Sequence, residues 1–221
     1  MASEVEICNI ALSHLGDSAT VSSIDPPEGS AQAEHCKTFY PIARDALLEL
    51  YDWKFASRRS AMAAIATHTT AWDYVYAPPA DMLKARDLIP DDTTDDNIIS
   101  YVSTSAYATE VYRRTSEVVV PYDMETLSNG DEVIMTDLLD AIVRYTVRIT
   151  DSTKFTPLFV LSLSHYLASL LAGPIIKGEP GAQQAKQSEA MAIAMVETAF
   201  ASDKSQERLS PAHIPSWLND R

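Results

Sequence analysis

Glycine is scarce in this chain, with 6 residues in 221. It forms no glycine-rich loop of the kind that cradles phosphate, and no Gly-x-Ser-x-Gly elbow to raise a nucleophile. Cysteine is scarcer still, with 2, which excludes a disulfide scaffold and a four-cysteine zinc site. Positive charge is short: 17 Lys and Arg stand against 31 Asp and Glu, a formal net charge of −14. A chain this acidic has no general attraction for phosphate, so a nucleic-acid-binding module is disfavoured. Long apolar runs are lacking as well. The longest stretch, residues 158–176, is interrupted by Ser162, Ser164, His165, Ser169, Gly173 and Pro174. It suits a buried helix, since a membrane span needs about 20 mostly apolar residues. The opening Met1-Ala2-Ser3-Glu4 has an acid and no apolar core. No secretory leader is expected there, and a reduced, cytoplasmic origin is.

What is present is ordinary globular material, 46% hydrophobic and 22% charged, enough for a sizeable core. Ser3 is placed to cap a first helix, with Glu4 and Glu6 in its first turn and Gly16 as its stop. Val5, Cys8, Ala11, Leu12 and Leu15 follow at helical spacing. Ser30 starts a second helix with the stripe Cys36, Phe39, Ala43, Ala46, Leu47 and Leu50, and Pro41 should kink or divide it. An alanine-rich stretch, residues 54–66, predicts a third helix.

From about residue 67 to 150 the texture changes to Val, Ile, Tyr and Thr. Strands are expected over residues 73–76, 82–89, 98–102, 109–113, 117–122, 132–136 and 142–149. Asn129-Gly130 marks a hairpin turn. Helix returns at Thr156-Pro157, a cap followed by proline at the first position. Residues 158–171 are apolar nearly all round, which predicts the central helix of a bundle, ended by Gly173-Pro174. After Gly178 to Gly181 a last helix should bury Met191, Ala192, Met195, Val196, Ala199 and Phe200. From Asp203 the chain is polar and holds two prolines.

The fold expected is therefore α+β. Terminal helices, residues 1–66 and 151–202, form a helical bundle; a mainly antiparallel β region, residues 67–150, is inserted between them; residues 203–221 are an extended C-terminal tail.

Few groupings suggest chemistry. The run Asp91-Asp92-Thr93-Thr94-Asp95-Asp96-Asn97 offers oxygens at calcium-loop positions one, three, five and seven. It has Asp96 where glycine is required at position six, and Val102 where glutamate is required at position twelve. A solvated loop is the simpler reading. Cys8, His14, His35 and Cys36 fit no zinc spacing, and adjacent His35 and Cys36 point to different sides of a helix. Core cysteines and surface histidines are expected instead, and no metal, cofactor or catalytic residue is assigned. Arg58-Arg59 and Arg113-Arg114 are short basic spots, more easily satisfied by carboxylates than by DNA. In the tail, Ile214, Trp217, Leu218 and Arg221 are the candidate partner-binding residues. An aromatic anchor on a polar tail suits an interface, although it would equally suit folding back on its own domain.

Several segments together resemble one family. Glu6-Ile7-Cys8-Asn9-Ile10-Ala11-Leu12-Ser13-His14-Leu15-Gly16 is similar to the opening of the phage tail tubular protein A family, the head-to-tail adaptors related to the T7-type gatekeeper. Cys36, Tyr40-Pro41, Ala43-Arg44-Asp45-Ala46-Leu47-Leu48 and Asp52-Trp53-Lys54-Phe55-Ala56 continue the likeness. The family commonly has Pro-Trp-Asn-Phe-Ala at the last of these, and this chain keeps Trp53, Phe55 and Ala56. Tyr76, Pro79, Asp81 and Leu83 match a Tyr-x-x-Pro-x-Asp-x-Leu stretch. Tyr145, Arg148, Thr150-Asp151 and Phe155 to Phe159 resemble the segment leading into the late helix, and Ser216-Trp217-Leu218 the terminal Ser-Trp. Residues 87–122 have no counterpart in this likeness.

The resemblance implies a virion protein at the portal vertex, assembled as a homo-oligomeric ring, typically of twelve copies. Its partners would be the portal protein, a tail nozzle of the tail tubular protein B type and, in some phages, tail fibres. DNA would pass through the lumen without sequence-specific binding, and no membrane or cofactor is involved. The competing reading is a virion-associated hydrolase of cell wall or surface polysaccharide, with carboxylates of the Asp91 to Asp96 run as its cue.

Overall fold

In a computed structural model the described residues are 2–18, 20–65, 71–89 and 120–205. The fold is α+β, with helices at both ends around a central sheet region. Contacts divide the chain into two compact units, one of residues 1–57 and 146–206, the other built on residues 58–145.

The first unit holds four helices among the described residues: α1 (Glu4–His14), α2 (Ala31–Leu50), α3 (Pro157–Ile176) and α4 (Gly178–Lys204). Their starts follow capping chemistry. The Ser3 hydroxyl accepts from the Glu6 amide while the Glu6 carboxylate takes the Ser3 amide at 2.7 Å, a reciprocal capping box. Ser30 caps α2 through the Ala33 amide, and Thr156 caps α3 through the Phe159 amide ahead of Pro157. Gly16 closes α1 at φ +74°, a conformation that costs glycine little.

α3 is the hub, packing on α1, α2 and α4. Nine of its residues, including Phe159, Leu163, Leu167 and Leu171, are buried. By length and composition it is also apolar enough to cross a membrane, and here that apolar surface is spent on three neighbouring helices.

Local propensity was overruled in several places. Residues 54–66, expected as helix, are instead β1 (Ser57–Ala61) and β2 (Ala63–Ala64). The alanines favour helix only weakly, and pairing with partner strands outweighs that preference. α2 runs unbroken through Pro41. The proline forfeits one hydrogen bond to the Lys37 carbonyl, while Tyr40, Ala43, Arg44, Leu47 and Leu48 on either side stay buried. α3 likewise continues past Gly173-Pro174 to Ile176, where Lys177 at φ +59° turns the chain. α4 starts at Gly178, earlier than expected, because Pro180 falls in its first turn where amides lack partners anyway. It also ends later. Asp203 belongs to the helix and is buried, accepting the Lys54 amide at 2.5 Å. The buried stripe of α4 is Gly181, Ser188, Ala192, Val196, Ala199 and Asp203, and Met191, expected inside, is exposed. Leu50 of α2 is exposed for the same reason, as the buried face turns toward Arg44 and Leu48.

The second unit carries two sheets. The remaining strands are β3 (Tyr74–Ala77), β4 (Met82–Ile89), β5 (Tyr122–Thr126), β6 (Glu132–Thr136) and β7 (Ile142–Val147). One sheet has the order β1-β7-β4, the other β2-β3-β6-β5. In the second sheet β3 and β5 flank β6 antiparallel, Val75 and Asp123 both opposite Met135. Val75, Val133 and Met135 form a small core, with Ile65, Trp72 and Leu127 against it. The Asn129-Gly130 hairpin is as expected, closed by the Leu127 amide on the Asp131 carbonyl at 2.8 Å. Its first strand is Tyr122–Thr126, later than the expected 117–122. The polar sequence hid it: four of its five residues are exposed, and register with β6 holds it in place. Strands expected over residues 98–102 and 109–113 lie outside the described residues.

Candidate functional site

Three groups of contacts tie distant parts of the chain. In the helical unit Arg44 is almost wholly buried and its Nε donates to Asp45 Oδ1 at 2.8 Å. The second Asp45 oxygen takes Arg148 Nε at 3.1 Å. One carboxylate thus serves two guanidinium groups from elements a hundred residues apart. In the same unit Trp53, Phe55, Phe155 and Phe159 form an aromatic cluster. Trp53 and Phe159 meet edge to face at 5.1 Å between centroids, and Phe55 and Phe159 at 5.2 Å. Trp53 also donates its indole N–H to the Leu47 carbonyl at 2.8 Å. That carbonyl is in the last turn of α2, where no intrahelical amide is available.

In the β-rich unit Asp81 joins two partners. It accepts from the Tyr145 hydroxyl at 2.9 Å and from Arg58 at 3.0 Å. Burial, and then the bond to Asp81, raises the Tyr145 pKa above its ordinary value. Arg58 therefore meets a carboxylate of its own chain, as its acidic surroundings suggested.

The cysteines lie in the core as expected, whereas His14 and His35, expected on the surface, are half-buried. Cys8 and Cys36 are fully buried free thiols. Cys8 is pushed up, first by its hydrogen bond with Cys36 and then by burial. His35 lies near the Phe39 ring on the same helix. His14 leaves this group altogether and stacks on His165. No group of three or more His, Cys, Asp or Glu side chains converges among the described residues.

Two surface depressions stand out, both in the helical unit. One, about 450 Å³, is lined by Ala2, Glu6, Asn9, Ile10 and Ser13. Its polar groups already serve the fold: Glu6 in the capping box, Asn9 on both the amide and carbonyl of Val21, Ser13 on the Ile10 carbonyl. The other, about 230 Å³, is lined by Glu4, Ile24, Asp25, Lys37, Tyr40, Pro41 and Arg44. Lys37 pairs with Asp25 there, and Arg44 with Asp45. Burial raises the Tyr40 pKa. Neither depression sets a nucleophile beside a base, the geometry that acyl or glycosyl transfer needs.

The candidate partner-binding residues Ile214, Trp217, Leu218 and Arg221 lie outside the described residues. So do the Asp91 to Asp96 run and Arg113-Arg114. Composition missed a different set: large apolar side chains on the helical surface. Ile42 and Leu50 on α2, Leu158 and Leu161 on α3, and Met191 and Ile193 on α4 are all more than a third exposed. The available signal was their place just off each buried stripe.

No family model matches the chain, and no curated protein matches it significantly.

Proposed function

We propose that this chain is a structural virion protein, a head-to-tail adaptor of the tail tubular protein A type, acting by assembly and gating rather than catalysis. In this reading copies of the chain form a ring beneath the portal, extend the DNA channel and offer a platform to the tail nozzle.

One observation carries it. Several of the segments that resemble the adaptor family, far apart in sequence, meet one another within a unit. Asp45 from one segment meets Arg148 from another. Asp81 meets Tyr145. Trp53 and Phe55 meet Phe159. The net charge of −14 adds support, because an acidic chain has no general attraction for the DNA it would have to let pass. A closed ring also needs two different faces on each copy. The exposed apolar residues of α2, α3 and α4 are candidates for them, and Ile214, Trp217, Leu218 and Arg221 for the grip on portal.

The test is to mix or co-express the full chain with portal protein and examine the product by negative-stain microscopy. Rings stacked on portal are expected. A chain that stays monomeric and binds portal under no condition overturns the proposal.

A further inference from the structure

α3 contains no Asp, Glu, Lys or Arg from Pro157 to Ile176. Apart from Tyr166, its one ionisable side chain is His165. The facing group on α1 is His14, in that helix's last turn. Their imidazole rings stack with centroids 3.9 Å apart and planes 13° from parallel. His14 Nε2 also lies 3.2 Å from the hydroxyl oxygen of Ser164, a fully buried residue. Ser164 spends its proton on the Leu161 carbonyl at 2.8 Å. Its oxygen is then available to accept from His14 Nε2 in the tautomer that carries the proton there. The backbone carbonyl of the same residue receives the Gln184 side-chain amide of α4 at 3.2 Å. His14 thus ties the end of α1 to two helices at once.

Among the described residues, no other charge shifts either ring. On α1, Glu4 and Glu6 sit in the first turn, roughly 12–15 Å along the axis from His14. Just past the helix, Asp17 accepts from Gln32 of α2 at 3.2 Å. The ionisable groups of α2 are Glu34, His35, Cys36, Lys37, Tyr40, Arg44, Asp45 and Glu49, and those of α4 are Glu179, Lys186, Glu189, Glu197, Asp203 and Lys204. One turn either side of Gln184, its face carries Pro180, Gly181, Gln187 and Ser188, all uncharged. Burial lowers the pKa of both rings, and His165 lowers that of His14 further.

We propose that the His14–His165 stack is a pH-sensitive latch that frees the C-terminal end of α1 from α3 when both rings become charged. The neutral rings stack face to face, whereas two imidazolium ions at 3.9 Å repel each other in a partly dry setting. The sign follows from linkage. Both folded values lie below the ordinary 6.5, so the released state takes up protons first. Docking is fully present above that pH and is lost as pH falls through the folded values. Ordinary carboxylates titrate near about 4, so the intervening window belongs to histidine.

The experiment follows hydrogen exchange of the α1 amides and the histidine ring resonances in the full chain from pH 7.5 to 5. Wild type is compared with His165→Phe, which keeps a flat ring but cannot be charged. After correction for intrinsic chemistry, exchange over Ile10 to Leu15 should accelerate about ten-fold on acidification in wild type and clearly less in the variant, where the burial of His14 remains but its repulsion by His165 is gone. In wild type, His14 and His165 should titrate below 6.5 in two separate steps. Equal pH dependence in the two proteins overturns the latch. If His165→Phe does not fold, the wild-type titration decides alone, and independent titration at ordinary values overturns it.

Discussion

Replacing Trp53 tests how the helical unit is held together. Its side chain is fully buried, ringed by Tyr51, Phe55, Phe159 and Phe200, and bonded to the Leu47 carbonyl. Trp53→Ala removes the packing and leaves that carbonyl without its donor. Large-to-small changes of this kind cost about 3–5 kcal/mol. A domain is stable by only about 5–15 kcal/mol, so roughly a fifth or more of the total is at stake. Trp53→Phe separates the two contributions. It keeps most of the ring contact and loses the indole N–H, for a loss of about 1–2 kcal/mol. The assay is urea unfolding followed by circular dichroism at 222 nm. The four described helices lie in the unit containing Trp53, so the signal reports on it. Fluorescence is less suitable, because the chain has 3 tryptophans. A loss below about 1 kcal/mol for alanine, or equal losses for both variants, would refute the idea of a packed aromatic centre that also caps α2.

Asp203→Ala strips the acceptor from the Lys54 amide and should lower stability by about 1–3 kcal/mol, while Asp203→Asn, which keeps an oxygen, loses less; urea midpoints compare the two. Gly181 approaches α3 so closely that an added Cβ would meet the Ala172 carbonyl oxygen at 3.0 Å. Gly181→Ala should therefore cost about 1–3 kcal/mol by forcing α4 off α3, visible as a lowered melting temperature. Ser3→Ala breaks the capping box and should cost about 1 kcal/mol, with faster amide exchange confined to the first turn of α1. Deleting residues 206–221 spares Asp203 and should leave the helical signal unchanged while weakening binding to portal. Unchanged affinity in a pull-down or by calorimetry would remove Trp217 and its neighbours from the proposed grip.

Much of the architecture was legible before any coordinates. Ser3, Ser30 and Thr156-Pro157 announce helix starts through local hydrogen bonding that depends on few other residues. Asn129-Gly130 announces a hairpin because few other residue pairs adopt its backbone angles without strain. Clusters of apolar and β-branched residues placed β3, β4, β6 and β7. These signals act within a turn or two of chain, and their chemistry is the same wherever the chain goes next.

Tertiary structure decided what local chemistry leaves open. Residues 57–64 are strand because partners exist to pair with them, and α2 and α3 absorb proline because their buried faces outweigh one lost hydrogen bond. Asp203 is a buried acceptor because the Lys54 amide, 149 positions away, needs one. The same holds for other contacts between distant positions: Asp45 with Arg148, Asp81 with Tyr145, and the stacked His14 and His165. By itself the amino-acid sequence determined the acidic charge, the α+β order and the caps of the helices. Which residues became partners was set by folding, because a contact between distant positions depends on the path of everything between them.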